Sequence, residues 1–148
     1  MHWLFYISIL IGLLAAGEDI WRRQISNKTT AAAFLLGLGA QTGLHGLRGA
    51  ADSLAGTLIG FFVFLIFFLL GGMGGGDIKL MAGFGAVLGA GQTIMAAFLT
   101  AILGGLMAMF YLLVRMAQKK TKKNAAEPEA IPYAPAITLG VLLSFAAR

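Results

Sequence analysis

The chain has 148 residues, of which 59% are hydrophobic and only 11% are charged, and its mean hydropathy is +0.86. Because a soluble domain carries about 25% charged residues, this composition excludes a water-soluble globule and indicates one integral membrane domain over residues 1–148. The chain contains no cysteine, which excludes disulfides, cysteine-ligated zinc and a cysteine nucleophile. The net charge is +5, but no basic face has interleaved aromatic residues, so we expect no nucleic-acid partner.

Six apolar stretches follow one another along the chain, and we interpret each as a membrane-spanning helix. The sequence therefore predicts an all-α, polytopic membrane protein in contact with the lipid bilayer. A loop is predicted over residues 45–53, with Asp52 as the cap of the helix that follows. The six predicted spans cover residues 3–16, 29–44, 54–70, 78–90, 94–114 and 131–147.

The basic residues are distributed unevenly along these spans. If the N-terminus lies outside, nine of the 11 Lys and Arg residues fall on the cytoplasmic side, and only Arg48 and Arg148 lie outside. Membrane proteins concentrate Lys and Arg in cytoplasmic loops. We therefore expect an outside N-terminus and cytoplasmic basic loops, with Asp19 and Asp77 at the same cytoplasmic edge.

Three of the six acidic residues fall at this edge, namely Glu18, Asp19 and Asp77. A carboxylate there is costly and marks a candidate functional site. Two carboxylates that share one proton beside a water molecule can perform aspartyl hydrolysis without a metal or another cofactor. Glu18 and Asp19 point about 100° apart on a helix, so only one of them can face Asp77. The residues alone leave this choice open, because Asp19 could instead form a surface ion pair with Arg22 or Arg23.

A glycine-rich stretch, residues 71–76, directly precedes Asp77. Glycine has no side chain, so another backbone can approach closely at these positions. We expect this stretch to admit the backbone of a substrate.

Three segments resemble the type IV prepilin peptidases and occur in that family's order. Residues 19–27 (Asp-Ile-Trp-Arg-Arg-Gln-Ile-Ser-Asn) resemble the family's first aspartate segment, although Ser26 stands where proline is usual. Residues 74–80 (Gly-Gly-Gly-Asp-Ile-Lys-Leu) resemble its Gly-x-Gly-Asp motif, and residues 131–135 (Ile-Pro-Tyr-Ala-Pro) are similar to its late Pro-x-x-Pro segment. The matching positions are Asp19, Asn27, Gly74, Gly76, Asp77, Lys79, Pro132 and Pro135.

The resemblance implies an intramembrane aspartyl endopeptidase with Asp19 and Asp77 as its catalytic dyad. The other matching positions would surround the approaching substrate. Such an enzyme removes the basic leader from prepilin or pseudopilin precursors, after a glycine, at the cytoplasmic face of the bacterial inner membrane.

Larger members of the family carry an additional N-terminal region, usually with paired cysteines, that is linked to N-methylation. We expect this chain to lack that region and the methyltransferase activity, like the small Flp/Tad-type members. The main alternative is a non-catalytic membrane scaffold or assembly subunit of a pilus or secretion system. A proton channel is a third hypothesis, although the predicted spans carry few polar residues near their centres.

Overall fold

The computed structural model describes residues 2–119 and 133–147, and every regular element within these ranges is an α-helix. The predicted all-α class is therefore confirmed. Helices satisfy their backbone N–H and C=O groups internally, as a segment in a bilayer requires. The helices are α1 (His2–Arg22), α2 (Asn27–Leu69), α3 (Gly75–Leu88), α4 (Ala90–Lys119) and α5 (Ala134–Ala146).

Helices α1, α2 and α4 are long and apolar enough to cross a membrane. They expose large apolar side chains such as Leu13, Phe62 and Phe110, which suits contact with lipid. Helix α3 has 14 residues and α5 has 13. At about 1.5 Å per residue, both are shorter than the roughly 30 Å hydrocarbon core of a bilayer. The count of six spans stays a prediction.

Helix α2 is interrupted at Gly46, whose φ of 61° and ψ of −143° are not helical. Glycine adopts a positive φ without the steric cost that other residues incur. The chain turns back here, because a Cβ at Gly49 would meet the backbone carbonyl of Gln41. Helix α2 therefore consists of a first arm, residues 27–45, and a second arm, residues 47–69.

The predicted loop over residues 45–53 is wrong, because one glycine makes the turn and the helix resumes directly after it. Asp52 consequently lies inside the second arm and does not cap its own helix. Its Oδ1 accepts a hydrogen bond from the backbone N–H of Ala90 at 3.0 Å, at the start of α4. A carboxylate at a helix N-terminus accepts a hydrogen bond from an unpaired N–H, and its negative charge interacts favourably with the helix dipole.

The first arm runs alongside α3 in the same direction. A Cβ at Gly83 would meet Ala33, and a Cβ at Gly37 would meet the backbone of Val87. Small residues at such positions let two helix backbones approach closely. The first arm therefore depends on Gly37 and Gly83 for its contact with α3.

The second arm runs along α3 in the opposite direction. Gly56 lies against the backbone of Gly85, and Gly60 lies against the backbone of Met81. Helix α3 is thus held between the two arms, and most of its side chains are buried. Its largest fully buried side chains are Leu80, Met81, Phe84 and Val87.

Two buried polar side chains of the arms bind the C-terminal end of α3. Gln41 Nε2 donates a hydrogen bond to the carbonyl of Val87 at 2.8 Å, and Ser53 Oγ donates to the carbonyl of Ala86 at 2.9 Å. The last four carbonyl groups of a helix have no partner within the helix. These two hydrogen bonds therefore satisfy polar groups that would otherwise be buried without a partner.

Helix α5 contacts both α1 and α4. Thr138 Oγ1 donates a hydrogen bond to the carbonyl of Gly12 in α1 at 3.3 Å. On another face of α5, Gly140 lies against Thr100 of α4. These contacts hold the middle of α5 against the middle of α1 and against α4.

Candidate functional site

Asp77 lies in the first turn of α3 and is only 6% exposed. The chain enters this helix through the glycine-rich stretch, in which Gly71 has a φ of 75°. Asp77 Oδ2 accepts a hydrogen bond from the backbone N–H of Gly74 at 3.0 Å. This bond pairs an N–H that precedes the helix and places a negative charge at the favourable end of the helix dipole.

Asp19 lies in the last turn of α1 and is 8% exposed. Its Oδ2 accepts a hydrogen bond from the backbone N–H of Ala134 at 3.0 Å. Ala134 is the first residue of α5, whose first N–H groups have no partner within the helix. Asp19 therefore lies near the C-terminus of its own helix, and its carboxylate is held at the N-terminus of another helix.

Glu18 is directed away from this position and toward the loop between α1 and α2. Its Oε2 accepts hydrogen bonds from the backbone N–H of Ser26 and from Thr29 Oγ1, both at 2.9 Å. Ser26 is also the N-cap of α2, since its hydroxyl accepts a hydrogen bond from the N–H of Thr29 at 3.1 Å. The choice between Glu18 and Asp19, which the residues alone left open, is thus made by the fold.

Asp19 and Asp77 line one open cavity of about 490 Å³. The cavity is bounded by the end of α1, the loop that follows it, the glycine-rich stretch and the start of α3. Six of the predicted site residues line it, namely Asp19, Asn27, Gly74, Gly76, Asp77 and Lys79. The cavity also has positive charge at its border, from Arg22 and Arg23 as well as Lys79.

Two late prolines, Pro132 and Pro135, belong to the predicted site. Pro135 lies in the first turn of α5, one residue after the Ala134 N–H that binds Asp19, and it does not line the cavity. Proline suits this position because its fixed φ matches the helix and its missing N–H would have had no helical partner. Pro132 lies outside the described residues.

The environment of Asp77 disfavours its charged form. Asp77 lies outside the three helices that are long enough to cross a membrane. Burial raises the pKa of Asp77 to about 6, the Gly74 N–H opposes this increase, and the charge of Asp19 adds to it. A second carboxylate near Asp77 adds to the cost of its charged form, because like charges repel.

The start of α3 contacts both the loop after α1 and the first residue of α2. Lys79 Nζ donates a hydrogen bond to Asn27 Oδ1 at 2.9 Å. At Gly76, a Cβ would lie 3.3 Å from the Cβ of Ile25, which is tighter than ordinary packing. Lys79 is therefore a link between the two predicted motif segments, and Gly76 lets the loop approach the helix.

Sequence reasoning missed two contributors to this site. The Ala134 N–H is a backbone donor, so no residue type indicates it. The role of Ser26 had a partial signal, because serine is a preferred N-cap residue of helices. Within residues 2–119 and 133–147, no group of three or more His, Cys, Asp or Glu side chains is arranged to hold a metal ion.

Tyr133 is a further residue beside the site. It directly precedes α5, is half-buried and packs against the hydrophobic core. It also directly precedes Ala134, whose backbone N–H binds Asp19.

These features define a helical membrane protein in which two carboxylates from separate helices share one cavity. The chain belongs to the type IV leader peptidase family, whose profile matches residues 4–109, and this confirms the resemblance seen in the motifs. It is 32% identical over 142 residues to the prepilin leader peptidase/N-methyltransferase of Bacillus subtilis (strain 168). The aligned region covers 95% of this chain and 53% of the relative, so the chain spans about half the length of that curated relative. No solved structure matches the chain.

Proposed function

We propose that this protein is an aspartyl endopeptidase that removes the basic leader from prepilin or pseudopilin precursors. The observation that supports the proposal most is the shared cavity, which is lined by two buried carboxylates, Asp19 of α1 and Asp77 of α3. The name of the Bacillus subtilis relative, which includes prepilin leader peptidase, agrees with this chemistry.

In the proposed mechanism, the two carboxylates share one proton and hold a water molecule between them. The ionised carboxylate takes a proton from water as the water oxygen attacks the scissile carbonyl carbon. The protonated carboxylate gives its proton to the carbonyl oxygen. When the C–N bond breaks, the carboxyl group that took the water proton gives it to the amine nitrogen, and the other carboxylate takes a proton from one hydroxyl of the intermediate as its C=O bond re-forms. The products are a free leader carboxyl group and a free amine, and the dyad again holds one proton.

The fixed hydrogen bonds of the two aspartates contribute to this mechanism. Each Oδ2 is held by one backbone N–H, from Gly74 for Asp77 and from Ala134 for Asp19. Held carboxylates lose little orientational freedom when the substrate binds, which is the advantage of a preorganised site. Burial and the mutual repulsion of the charges favour a state with one proton on the pair.

The proposed location is the bacterial inner membrane, crossed six times, with the N-terminus outside and the site at the cytoplasmic face. Arg22, Arg23 and Lys79 around the cavity support this orientation, because basic residues concentrate on the cytoplasmic side. The reversal of α2 at Gly46 supports two crossings by its two arms. The substrate would lie in the bilayer beside the protein, with its scissile bond at the inner interface.

The proposal is tested by co-expressing the full chain with a tagged prepilin and following loss of the leader as a band shift. Asp19→Asn and Asp77→Asn should each reduce processing by about a thousandfold or more, as expected when one member of a catalytic pair is removed. Asp52→Asn is the matched control, since Asp52 binds a backbone N–H at the other end of the molecule. It should leave processing unchanged.

Full processing by both Asp19→Asn and Asp77→Asn would overturn the proposal and favour a non-catalytic scaffold subunit. Each variant should also be purified and its helical content measured by circular dichroism. A catalytic loss with unchanged helical content separates chemistry from folding.

A further inference from the structure

The loop after α1, residues 23–26, forms one wall of the cavity that Asp19 and Asp77 line, here called the carboxylate cavity. The loop begins at Arg23, whose φ of 52° lies in the left-handed region. A residue other than glycine adopts this conformation only at a cost in free energy, and it persists where the surrounding contacts hold it. The contacts that hold this loop therefore determine the shape of the cavity wall.

Glu18 provides one of these contacts. Its Oε2 accepts a hydrogen bond from the backbone N–H of Ser26 at 2.9 Å and another from Thr29 Oγ1 in the first turn of α2. Glu18 lies in the last turn of α1, directly before Asp19. The side chain that binds the end of the loop therefore belongs to the same helical turn as one of the two aspartates.

The loop also contacts the helix that carries the other aspartate. Ile25 directly precedes Ser26, and a Cβ at Gly76 would lie 3.3 Å from the Cβ of Ile25. Gly76 directly precedes Asp77. A continuous series of contacts thus runs from Glu18 through the end of the loop to Gly76, and it connects the neighbours of the two aspartates.

From this series of contacts we infer that Glu18 is a positioning residue for the two aspartates. Its hydrogen bond to Ser26 holds the loop against the start of α3 and so fixes Asp77 relative to Asp19. The inference rests on the proposed peptidase function. Glu18 does not line the carboxylate cavity, so it acts through the loop and does not touch the substrate.

The backbone of Ser26 offers a way to separate this role from a general effect on folding. Ser26 has a φ of −70° and a ψ of 145°, which proline can adopt. A proline fixes φ but has no N–H, and its ring would occupy the direction in which Glu18 Oε2 lies, 2.9 Å from the nitrogen. The Glu18 hydrogen bond and a proline are therefore two mutually exclusive ways to hold the loop at this position.

The test measures kcat and KM of the purified, folded full chain with a tagged prepilin. Glu18→Ala should lower kcat by about tenfold and leave KM nearly unchanged, because misplaced catalytic groups slow the chemical step. Glu18→Gln keeps an oxygen that can accept the Ser26 N–H, so it should retain most of the wild-type kcat.

The combination of two substitutions gives the sharpest result. Ser26→Pro alone should lower kcat, because the ring displaces the Glu18 carboxylate. Glu18→Ala together with Ser26→Pro should process the prepilin faster than either single variant, since the obstacle is gone and proline holds the loop. A merely structural loss at each position would make the double variant worse than both single variants.

Asp52→Ala is the matched control, since it also replaces an acid that binds a backbone N–H, at the far end of the molecule. It should leave kcat of the folded protein unchanged. A wild-type kcat in Glu18→Ala, or a double variant no faster than Glu18→Ala, overturns the inference while the peptidase function stands.

A second measurement decides the question without processing. The chain has no cysteine, so Ile25→Cys combined with Gly76→Cys creates a single pair of thiols. The Cβ positions are 3.3 Å apart, close to the separation of about 3.8 Å in a disulfide. Under mild oxidation this pair should form a disulfide in the otherwise wild-type chain.

Glu18→Ala should slow formation of this disulfide by about fivefold or more, because a loosened loop lowers the effective concentration of one thiol near the other. Adding Ser26→Pro should restore the rate. Equal rates with and without Glu18, or no disulfide in either chain, contradict the inference. If the wild type does not process prepilin, the proposed function fails, and these rates still show whether Glu18 holds the loop.

Discussion

The two ends of α3 use buried polar groups in different ways. At the C-terminal end, Gln41 and Ser53 each bind one carbonyl of the helix, so each polar group has a fixed backbone partner. At the N-terminal end, Asp77 also binds a backbone N–H, but it shares an open cavity with a second buried carboxylate, Asp19. A buried polar residue alone is therefore weak evidence for function. Two carboxylates that line the same cavity are much stronger evidence.

The C-terminal half of α3, where Gly83 and Gly85 contact the two arms, should be more sensitive to added side-chain volume than the start of the helix. Gly85→Val would insert a side chain against the backbone of Gly56, where neither helix can yield without moving. We expect a loss of about 3 kcal/mol in the free energy of unfolding, the upper part of the range for overpacking. Denaturant titration in detergent, followed by circular dichroism, measures this loss.

The control for this prediction is Gly39→Val, whose Cβ would meet no atom within 4 Å. It should change the free energy of unfolding by no more than about 1 kcal/mol. Equal losses for the two variants would contradict the role assigned to the contact between α3 and the second arm.

The hydrogen bonds at the C-terminal end of α3 should support stability and not catalysis. Gln41→Leu removes the donor to the carbonyl of Val87 and leaves that group buried without its partner, at a cost of about 1–3 kcal/mol. Prepilin processing by the folded fraction should stay within about twofold of the wild type, because the substitution lies at the far end of α3 from the aspartates.

Thr42→Val serves as the comparison for Gln41→Leu, since Thr42 is exposed and bonds only within its own helix. It should have little effect on either measurement. A strong loss of processing in Gln41→Leu at full folding would show that the two ends of α3 are coupled.

The loop after α1 should contribute less to stability than either set of contacts in α3. Ser26→Ala removes the N-cap of α2 and should reduce the free energy of unfolding by about 1 kcal/mol. Ser26→Thr keeps the hydroxyl and should restore most of that loss. If the alanine variant were as stable as the wild type, the cap would be of no consequence.

The smallest effect on stability is expected in the glycine-rich stretch, at Gly75. A Cβ there would lie 4.0 Å from its nearest neighbour, so Gly75→Ala should change the free energy of unfolding by no more than about 0.5 kcal/mol. Gly75 also lines the carboxylate cavity. We expect prepilin processing to fall by about tenfold or more, as misplacement of a bound substrate produces. Unchanged processing would argue against approach of the substrate backbone at this position.

The helices and the two aspartates could be predicted from the sequence, and the turn between the arms of α2 could not. Long apolar runs are sufficient to predict helices in a membrane chain. The sequence predicts a loop over residues 45–53, yet a single glycine makes the turn and the residues after it are helical. The predicted capping role of Asp52 was wrong for the same reason. Its carboxylate binds the backbone N–H of Ala90, the first residue of a different helix.

At the site, the residue types predicted the chemistry but not the geometry that supports it. Glu18 and Asp19 are adjacent acids, and only the packed structure turns Glu18 toward Ser26 and Asp19 toward the cavity. The link between Asn27 and Lys79 joins residues far apart in sequence through an ordinary polar contact. Such contacts depend on how the helices are arranged, and no local pattern encodes them.

The hydrogen bond between Asp19 and Ala134 has a consequence for the order of events during synthesis. The two residues are 115 positions apart, so the first aspartate leaves the ribosome long before its backbone partner does. A nascent chain that has not yet reached α5 holds Asp19 without the N–H that fixes it. The first helix therefore provides a carboxylate early, and the last described helix completes the site only when translation has passed Ala134.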